Sequence, residues 1–318
     1  MKILVTGANG FAGNVLCRRL VEKGYAVRGA VRSGKSALPT GVEKIAMGDI
    51  EGNTDWSAAL QDIDCAIHLA ARVHVMKDES ADPLAEFRKV NVEGTEKLAL
   101  SAAKAGVRRL VYISSIKVNG ESTGKKPFSE KDEPHPQDPY GISKWEAEQA
   151  LRRISGQSGL EVVVVRPPLV YGPEVGGNFV RMLAWIEKGI PLPLGCVKNR
   201  RSMIYVENLA DALINCAIHP DAANRTFLVG DSETVSTPEL IRRLSARMGK
   251  SAAILPFPLP FLALLGKITG KKAEIQRLTG SLEVDSSRIS KILGWKPPFS
   301  LDEGLEATAL WFKKGYDG

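Results

Sequence analysis

Three glycines spaced GxxGxxG, Gly7, Gly10 and Gly13, follow a short apolar stretch at Lys2–Thr6 and open an amphipathic run over Phe11–Lys23. A strand that turns sharply into a helix needs a residue free of a side chain at the turn, which is the place of Gly7. Gly10 would let the backbone approach a pyrophosphate, and Gly13 would let the helix lie close to its strand. The first turn of such a helix has N–H groups with no partner inside the helix and the positive end of its dipole, so it attracts phosphate. Asn9 and Phe11 sit within this turn and join Gly7, Gly10 and Gly13 as candidate cofactor-binding residues. The pattern points to a dinucleotide.

The rest of the first half continues the alternation. Strands are predicted at Tyr25–Val31, Val42–Met47, Ile63–Leu69, Val107–Ser114 and Leu160–Arg166. Helices are predicted at Pro83–Ala105 and Tyr140–Ile154. Strands alternating with helices imply a doubly wound parallel α/β sheet of Rossmann type. Runs such as EVVVVR, apolar at every position, suit strands covered on both faces. Past Pro167-Pro168 the pattern becomes irregular from Tyr171 to Gly195. Short helical patterns follow at Glu207–Ile218, Pro238–Met248, Ser286–Leu293 and Asp302–Phe312. The expected organisation is a dinucleotide-binding domain over 1–170, with a contribution from about 201–230. A smaller, mostly helical substrate lobe would be built from 171–200 and 231–318.

Composition narrows the partners. The chain of 318 residues carries a net charge of +7, but aromatics are only 6% and no basic stripe is interleaved with them, which disfavours nucleic acid. Small phosphorylated molecules fit the cluster Lys198, Arg200 and Arg201 better. The apolar run at the N-terminus is too short for a secretory leader. The run Ile254–Leu265, broken by Pro256, Pro258 and Pro260, is too short to span a bilayer and reads as a packed helix of a small domain, with a surface-lying helix as the alternative. No membrane insertion and a cytoplasmic location are expected. Cys17, Cys65, Cys196 and Cys216 are scattered without a CxxC pair, so four buried free thiols and no metal site are expected.

The second predicted strand ends Val31-Arg32-Ser33, with no acidic residue between Arg28 and Ala37. An acidic residue there would bind the ribose 2′-OH of NAD, whereas an arginine accommodates a 2′-phosphate. Arg32, helped by Arg28, Ser33 or Lys35, therefore favours NADP(H); NAD stays open because Arg32 could equally be a solvated arginine at a strand end. Asp49 and Ile50, past the third strand, are placed to meet the adenine, and an ordinary turn aspartate is the plain alternative.

Tyr140-Gly141-Ile142-Ser143-Lys144 puts a tyrosine and a lysine four residues apart, on one helical face. Ser114 and Ser115 end the preceding strand at the carboxyl edge, where open α/β sheets bind ligands. Hydride chemistry at a carbonyl needs a proton donor, and a tyrosine is a poor one until a nearby ammonium lowers its pKa. A serine hydroxyl would hold the substrate oxygen.

These segments resemble the extended short-chain dehydrogenase/reductase family, in particular its NAD(P)-dependent sugar-nucleotide epimerases, dehydratases and 4-ketoreductases. The likeness rests on TGANGFAG, GDI at Gly48–Ile50, HLAA at His68–Ala71 and NVEGT at Asn91–Thr95. It continues through ISSIKVNG at Ile113–Gly120, DPYGISKWEAE at Asp138–Glu148, RPPLVYGP at Arg166–Pro173 and RRSMIYVENLADA at Arg200–Ala212. The resemblance implies that Ser115, Tyr140 and Lys144 are catalytic and that Ser114 lies along the cofactor. It implies that Leu69, Ala70, Ala71, Asn91 and Pro167 line the cofactor, and that Asn178 and Arg201 grip the diphosphate of a UDP-sugar. Dehydratases of the family carry an acidic pair after the catalytic serine, where this chain has Ile116 and Lys117. Epimerases of the family carry an acidic residue after the second strand, which is missing here. The combined expectation is an NADP(H)-dependent reductase of the 4-keto group of a UDP-activated 6-deoxyhexosamine in polysaccharide biosynthesis. A UDP-hexose 4-epimerase using NAD, acting on UDP-glucose or UDP-N-acetylglucosamine, is the alternative. The resemblance also implies a homodimer through a four-helix bundle of the helices Pro83–Ala105 and Tyr140–Ile154. Ala85, Val92, Leu98, Ala99 and Ala102 are its candidate contacts.

Overall fold

A computed structural model describes residues 1–73, 82–270 and 272–316. Seven strands form one sheet: β1 Lys2–Thr6, β2 Ala26–Val31, β3 Val42–Ala46, β4 Cys65–His68, β5 Arg109–Ile113, β6 Glu161–Arg166 and, last in the chain, β9 Thr226–Leu228. Their order is β3-β2-β1-β4-β5-β6-β9, and every neighbouring pair is parallel. The order reverses between β1 and β4, which is where such sheets open a ligand crevice at the carboxyl ends of the strands. Register aligns those ends: Thr6 lies opposite both Ala30 of β2 and His68 of β4. A second, two-stranded parallel sheet joins β7 Leu169–Tyr171 to β8 Met203–Tyr205.

The helices in chain order are α1 Phe11–Glu22, α2 Ser57–Leu60, α3 Pro83–Arg88, α4 Gly94–Lys104, α5 Pro139–Ser158 and α6 Gly177–Glu187. They continue with α7 Val206–Ile218, α8 Thr237–Arg247, α9 Leu259–Ile268, α10 Lys272–Thr279, α11 Ser287–Leu293 and α12 Leu301–Tyr316. Helices α1 and α7 cover one face of the large sheet, burying Leu16, Leu20, Leu209 and Leu213 against Ile3, Val5 and Val163. Helices α4 and α5 cover the other face, with Leu98, Ala99, Ala102 and Leu151 against Leu4, Leu110 and Tyr112. This two-sided burial is why the strands read as unbroken apolar runs. A second core gathers Phe179, Leu183, Ile186, Leu240, Leu244 and Leu305, from the two stretches expected to form the smaller lobe. Ile289, Leu293 and Trp295, late in the chain, join the core of the sheet rather than that of the lobe.

Several expectations need correction. The stretch Tyr171–Gly195, expected to be irregular, contains α6, whose Phe179, Met182, Leu183 and Ile186 follow a helical period. Flanking glycines at 176, 177 and 189 masked that pattern. The helix expected over Pro83–Ala105 is interrupted by a π-helical turn at Lys89–Glu93. Leu98, Ala99 and Ala102, expected to face a partner subunit, are fully buried against the chain's own sheet. Of the cysteines, Cys17, Cys65 and Cys216 are buried, with thiols pushed up to about 12 by burial, but Cys196 is only half-buried. Among the described residues no helix is long and apolar enough to cross a membrane, and no group of three His, Cys, Asp or Glu side chains could hold a metal ion. The segment 74–81, part of the expected loop around Arg72–Lys77, lies outside the described residues.

Candidate active site

At the cradle, Gly7 adopts φ +65°, and a Cβ there would stand 2.9 Å from the backbone nitrogen of Ala70. A Cβ on Gly13 would meet the carbonyl oxygen of Gly7 at 2.0 Å, and one on Gly10 the same oxygen at 3.2 Å. The backbone is therefore packed so closely that only hydrogen fits at two of the three positions. Gly10 caps α1 without a side-chain hydrogen bond. The first turn of α1 thus keeps N–H groups free for phosphate, and the cradle suits a dinucleotide. The residues beside it are held from behind. Thr6 Oγ1 lies 2.6 Å from His68 Nδ1 and accepts from the Ala70 N–H at 3.1 Å. His68 Nε2 in turn meets Thr95 Oγ1 at 3.0 Å. Burial, reinforced by the charge of Lys144, drops the His68 pKa to about 3, so the ring is neutral. Leu69, Ala70 and Ala71 follow β4 at this crevice, half-buried.

At the ends of β2 and β3, Arg32 and Asp49 form an exposed ion pair at 2.9 Å. Arg28 takes no part in it. Its buried guanidinium donates to Glu43 and to the carbonyls of Ala58, Ala59 and Gln61, so its expected help to Arg32 is withdrawn. Asn9 donates to Ser36 Oγ at 3.2 Å, tying the cradle to the loop after β2. Ile50 packs against Gly94, where a Cβ would clash with it at 2.8 Å.

Helix α5 presents Tyr140 and Lys144. Asp138 caps it by accepting from the Gly141 N–H at 2.7 Å, and Pro139 starts it with a preset φ. Gly141 packs against the Lys117 carbonyl, where a Cβ would stand at 3.0 Å, which brings α5 against the turn that starts at Ser115. Ser115 caps that turn, its Oγ accepting from the Lys117 N–H at 3.2 Å. Pro167 contributes a carbonyl that accepts from the Ile116 N–H at 3.0 Å. Lys144 Nζ donates to the Ile113 carbonyl at 2.7 Å and lies over the Tyr112 ring at 4.5 Å. Tyr140 meets Phe87 edge-on, with centroids 6.1 Å apart.

The electrostatics differ from the expectation that Lys144 lowers the pKa of Tyr140. Burial, then the carboxylate of Asp138, pushes the Tyr140 phenol up. The ammonium is turned toward Ile113 and sits 5.9 Å from the Tyr140 ring centroid. Lys144 itself is lowered from 10.5 to about 7 by burial, against the opposing pull of Glu148.

Other polar side chains are committed to structure. Ser114, expected along the cofactor, donates to Glu148 at 2.6 Å and is 2% exposed. Glu148 also receives two bonds from Arg166, at 2.8 and 2.6 Å, and Arg166 reaches Asn119 at 2.9 Å. This buried set escaped the sequence reading, although Glu148 lies one helical turn past Lys144 and could have been found by that spacing. Asn91, expected against the cofactor, sits in the π-helical turn and is buried. It accepts from the Arg72 N–H at 2.8 Å and donates to the Arg72 carbonyl and to Ser143 Oγ, each at 3.0 Å. Asn91 therefore joins the loop after β4 to α5. On the substrate side, Arg201 Nη1 donates to the carbonyls of Arg277 and Gly280, at 3.0 and 3.3 Å. Asn178 lies in the first turn of α6, exposed, accepting from Arg181 at 3.4 Å.

The model of the NAD dependent epimerase/dehydratase family matches residues 3–230. The chain belongs to this family. A Vibrio cholerae UDP-glucose 4-epimerase is 44% identical over 313 residues, covering 98% of this chain and 95% of the relative. An Escherichia coli O157:H7 relative, N-acetyl-alpha-D-glucosaminyl-diphospho-ditrans,octacis-undecaprenol 4-epimerase, is 27% identical over 96% of this chain and 93% of its own. Among solved structures, a Bacillus cereus UDP-glucuronic acid 4-epimerase in complex with NAD is 26% identical, with TM-score 0.81 over 99% of this chain and all of that one. As a member of this family the chain is an NAD(P)-dependent enzyme of the epimerase type. Gly7, Gly10 and Gly13 lie within the matched region, as do Ser115, Tyr140 and Lys144.

Proposed function

We propose that this enzyme is a UDP-hexose or UDP-hexosamine 4-epimerase that uses NAD. The observation that carries the proposal is the 44% identity to the V. cholerae UDP-glucose 4-epimerase over nearly the whole of both chains. When bound, NAD supplies a hydride acceptor and donor and a positive charge beside Tyr140. As the phenolate, which the positive charge of the bound nicotinamide would have to favour against the burial that raises its pKa, Tyr140 would take the proton of the sugar's C4 hydroxyl as C4 loses hydride and give it back when hydride returns to the opposite face, so no net oxidation occurs. Ser115 holds the C4 oxygen. Lys144 holds the nicotinamide ribose. Arg201 and Asn178 hold the diphosphate, Arg201 swinging from the carbonyls of α10. The smaller lobe, from 171–200 and 231–318 without the α11 segment that packs on the sheet, covers the substrate over the nucleotide-binding domain.

The Arg32–Asp49 pair supports NAD over NADP(H), which the arginine alone had favoured. A carboxylate 2.9 Å from the guanidinium offsets the charge that a 2′-phosphate needs, and it can accept a 2′-hydroxyl. The second reading, an NADP(H)-dependent 4-ketoreductase, is favoured by the exposure of Arg32, since a solvent-exposed pair is weak and the guanidinium can leave Asp49 for a phosphate. The test separates the two. Denaturing the purified protein should release close to one NAD per chain, and UDP-glucose or UDP-N-acetylglucosamine should interconvert with its C4 epimer without added cofactor. Stoichiometric oxidation of NADPH by a UDP-4-keto-6-deoxy sugar, with no epimerisation, would establish the reductase instead. For assembly we retain a homodimer through α4 and α5, now with the exposed Leu100 and the half-buried Val92 as contacts.

A further inference from the structure

Among the described residues, an exposed apolar stripe lies on α9. Phe261, Leu264 and Ile268 of α9 are 61%, 53% and 73% exposed, and their spacing of three and four residues lines them along one stripe of the helix. Leu255 and Leu259, just before and at the start of the helix, are also exposed. Leu262, on the opposite side, is buried in the core of the smaller lobe, so the helix is anchored and its apolar stripe is turned outward. A groove of about 440 Å³ between α9 and α10 extends this surface, lined by Pro260, Ala263, Leu264, Lys267 and Ile275. The sequence from 255 to 279 holds four cations, Lys267, Lys271, Lys272 and Arg277, against the single anion Glu274.

An apolar stripe flanked by Lys267 in a segment of net positive charge has two candidate covers, a second copy or an anionic lipid surface. A two-fold contact would bring the same cationic segment against itself, which like charges oppose. An anionic bilayer offers hydrocarbon for the stripe and phosphates for Lys267, and the helix is far too short to span it. We propose that α9 docks the enzyme on an anionic phospholipid surface, with Phe261, Leu264 and Ile268 seated among the acyl chains and Lys267 at the headgroups. The contact is interfacial and reversible. It leaves the crevice accessible while placing the smaller lobe at the membrane, and it is independent of which sugar the crevice takes.

Flotation of the purified full chain with vesicles tests this directly. The protein should float with vesicles containing phosphatidylglycerol, much less with pure phosphatidylcholine, and less as salt is raised. The triple variant Phe261→Ser, Leu264→Ser, Ile268→Ser should lose at least about tenfold in partitioning, because burial of apolar area drives interfacial binding. Lys267→Glu should lose about fivefold on anionic vesicles and nothing on neutral ones. Both variants change exposed residues, so their melting temperatures should match the parent; if the triple variant melts lower, Lys267→Glu and Ile268→Ser singly carry the test. Absence of flotation with anionic vesicles, or flotation undiminished in the variants, would overturn the proposal. So would self-association of the parent without lipid that the apolar substitutions abolish, which would assign the face to a second copy.

Discussion

The nucleotide cradle and the diphosphate-binding residue Arg201 both face phosphates in the proposed reading, yet they are built in different ways. In the cradle the binding groups are backbone N–H groups, and the side chains matter by being absent: a Cβ on Gly13 would run into the Gly7 carbonyl at 2.0 Å. At the substrate side the binding group is a long side chain with other partners at hand. Arg201 rests on the carbonyls that end α10, and Arg200 pairs with Glu283 at 2.6 Å. A backbone site stands ready before the ligand arrives, whereas a side-chain site must give up existing hydrogen bonds to accept one. The first kind leaves a spaced motif in the sequence, and the second leaves only a local excess of charge.

Four measurements would break or sharpen this contrast, and the largest effect belongs to chemistry between the two regions. Tyr140→Phe removes the proton carrier and keeps the ring, so turnover should fall by about 10²–10⁴-fold with cofactor binding unchanged. Near-normal turnover would remove Tyr140 from the mechanism. Gly13→Ala comes next. If the cradle is rigid backbone, the methyl group must push α1 off β1, and cofactor affinity should drop by about 100-fold or more, with a lower melting temperature. Calorimetric titration that finds parental affinity would mean that the turn yields.

The third effect concerns pH. Lys144 binds its proton with a pKa of about 7 in the folded protein against an ordinary 10.5, so between these values the unfolded chain holds more protons. Stability contributed by this group therefore rises with pH through that window and is lowest below about pH 7. Lys144→Met should be inactive, yet without cofactor it should melt higher than the parent at pH 7. The gap should narrow toward pH 10, as melting curves across that range would read. A constant gap would deny the burial penalty. The smallest effect is at the side-chain site. Arg201→Ala should raise the Michaelis constant for the UDP-sugar by about tenfold, with turnover number and cofactor affinity near parental, a loss of about 1.4 kcal/mol. A lower melting temperature with an unchanged Michaelis constant would make Arg201 a staple for α10 only.

The same division governs how much could be read from the chain. The strand–helix alternation placed six of the seven strands of the sheet within one or two residues, because β-branched runs such as VVVV at 162–165 suit strands buried on both faces, and missed the three-residue edge strand Thr226–Leu228. Tyr140 and Lys144 were legible because a spacing of four on one helix is a local fact. The partners of Ser114 and Asn91 were not, because Glu148 and Ser143 reach them across 34 and 52 residues of chain. Helix α6 was obscured by the glycines around it. The apolar run at 254–265 was expected to pack inward, but the lobe left one side of it uncovered.

What the sequence by itself determined is the parallel sheet, the glycine cradle and the tyrosine–lysine face, since each follows from periodicity, backbone freedom or spacing within a single element. Only the tertiary structure decided that Arg28 turns away from the cofactor edge, that Arg32 meets Asp49, that Leu98 and Ala102 serve the chain's own core, and that Lys144 points at Ile113. Each of those outcomes is a competition among partners distant in sequence. Such competitions are settled by burial and hydrogen-bond geometry once the elements have packed.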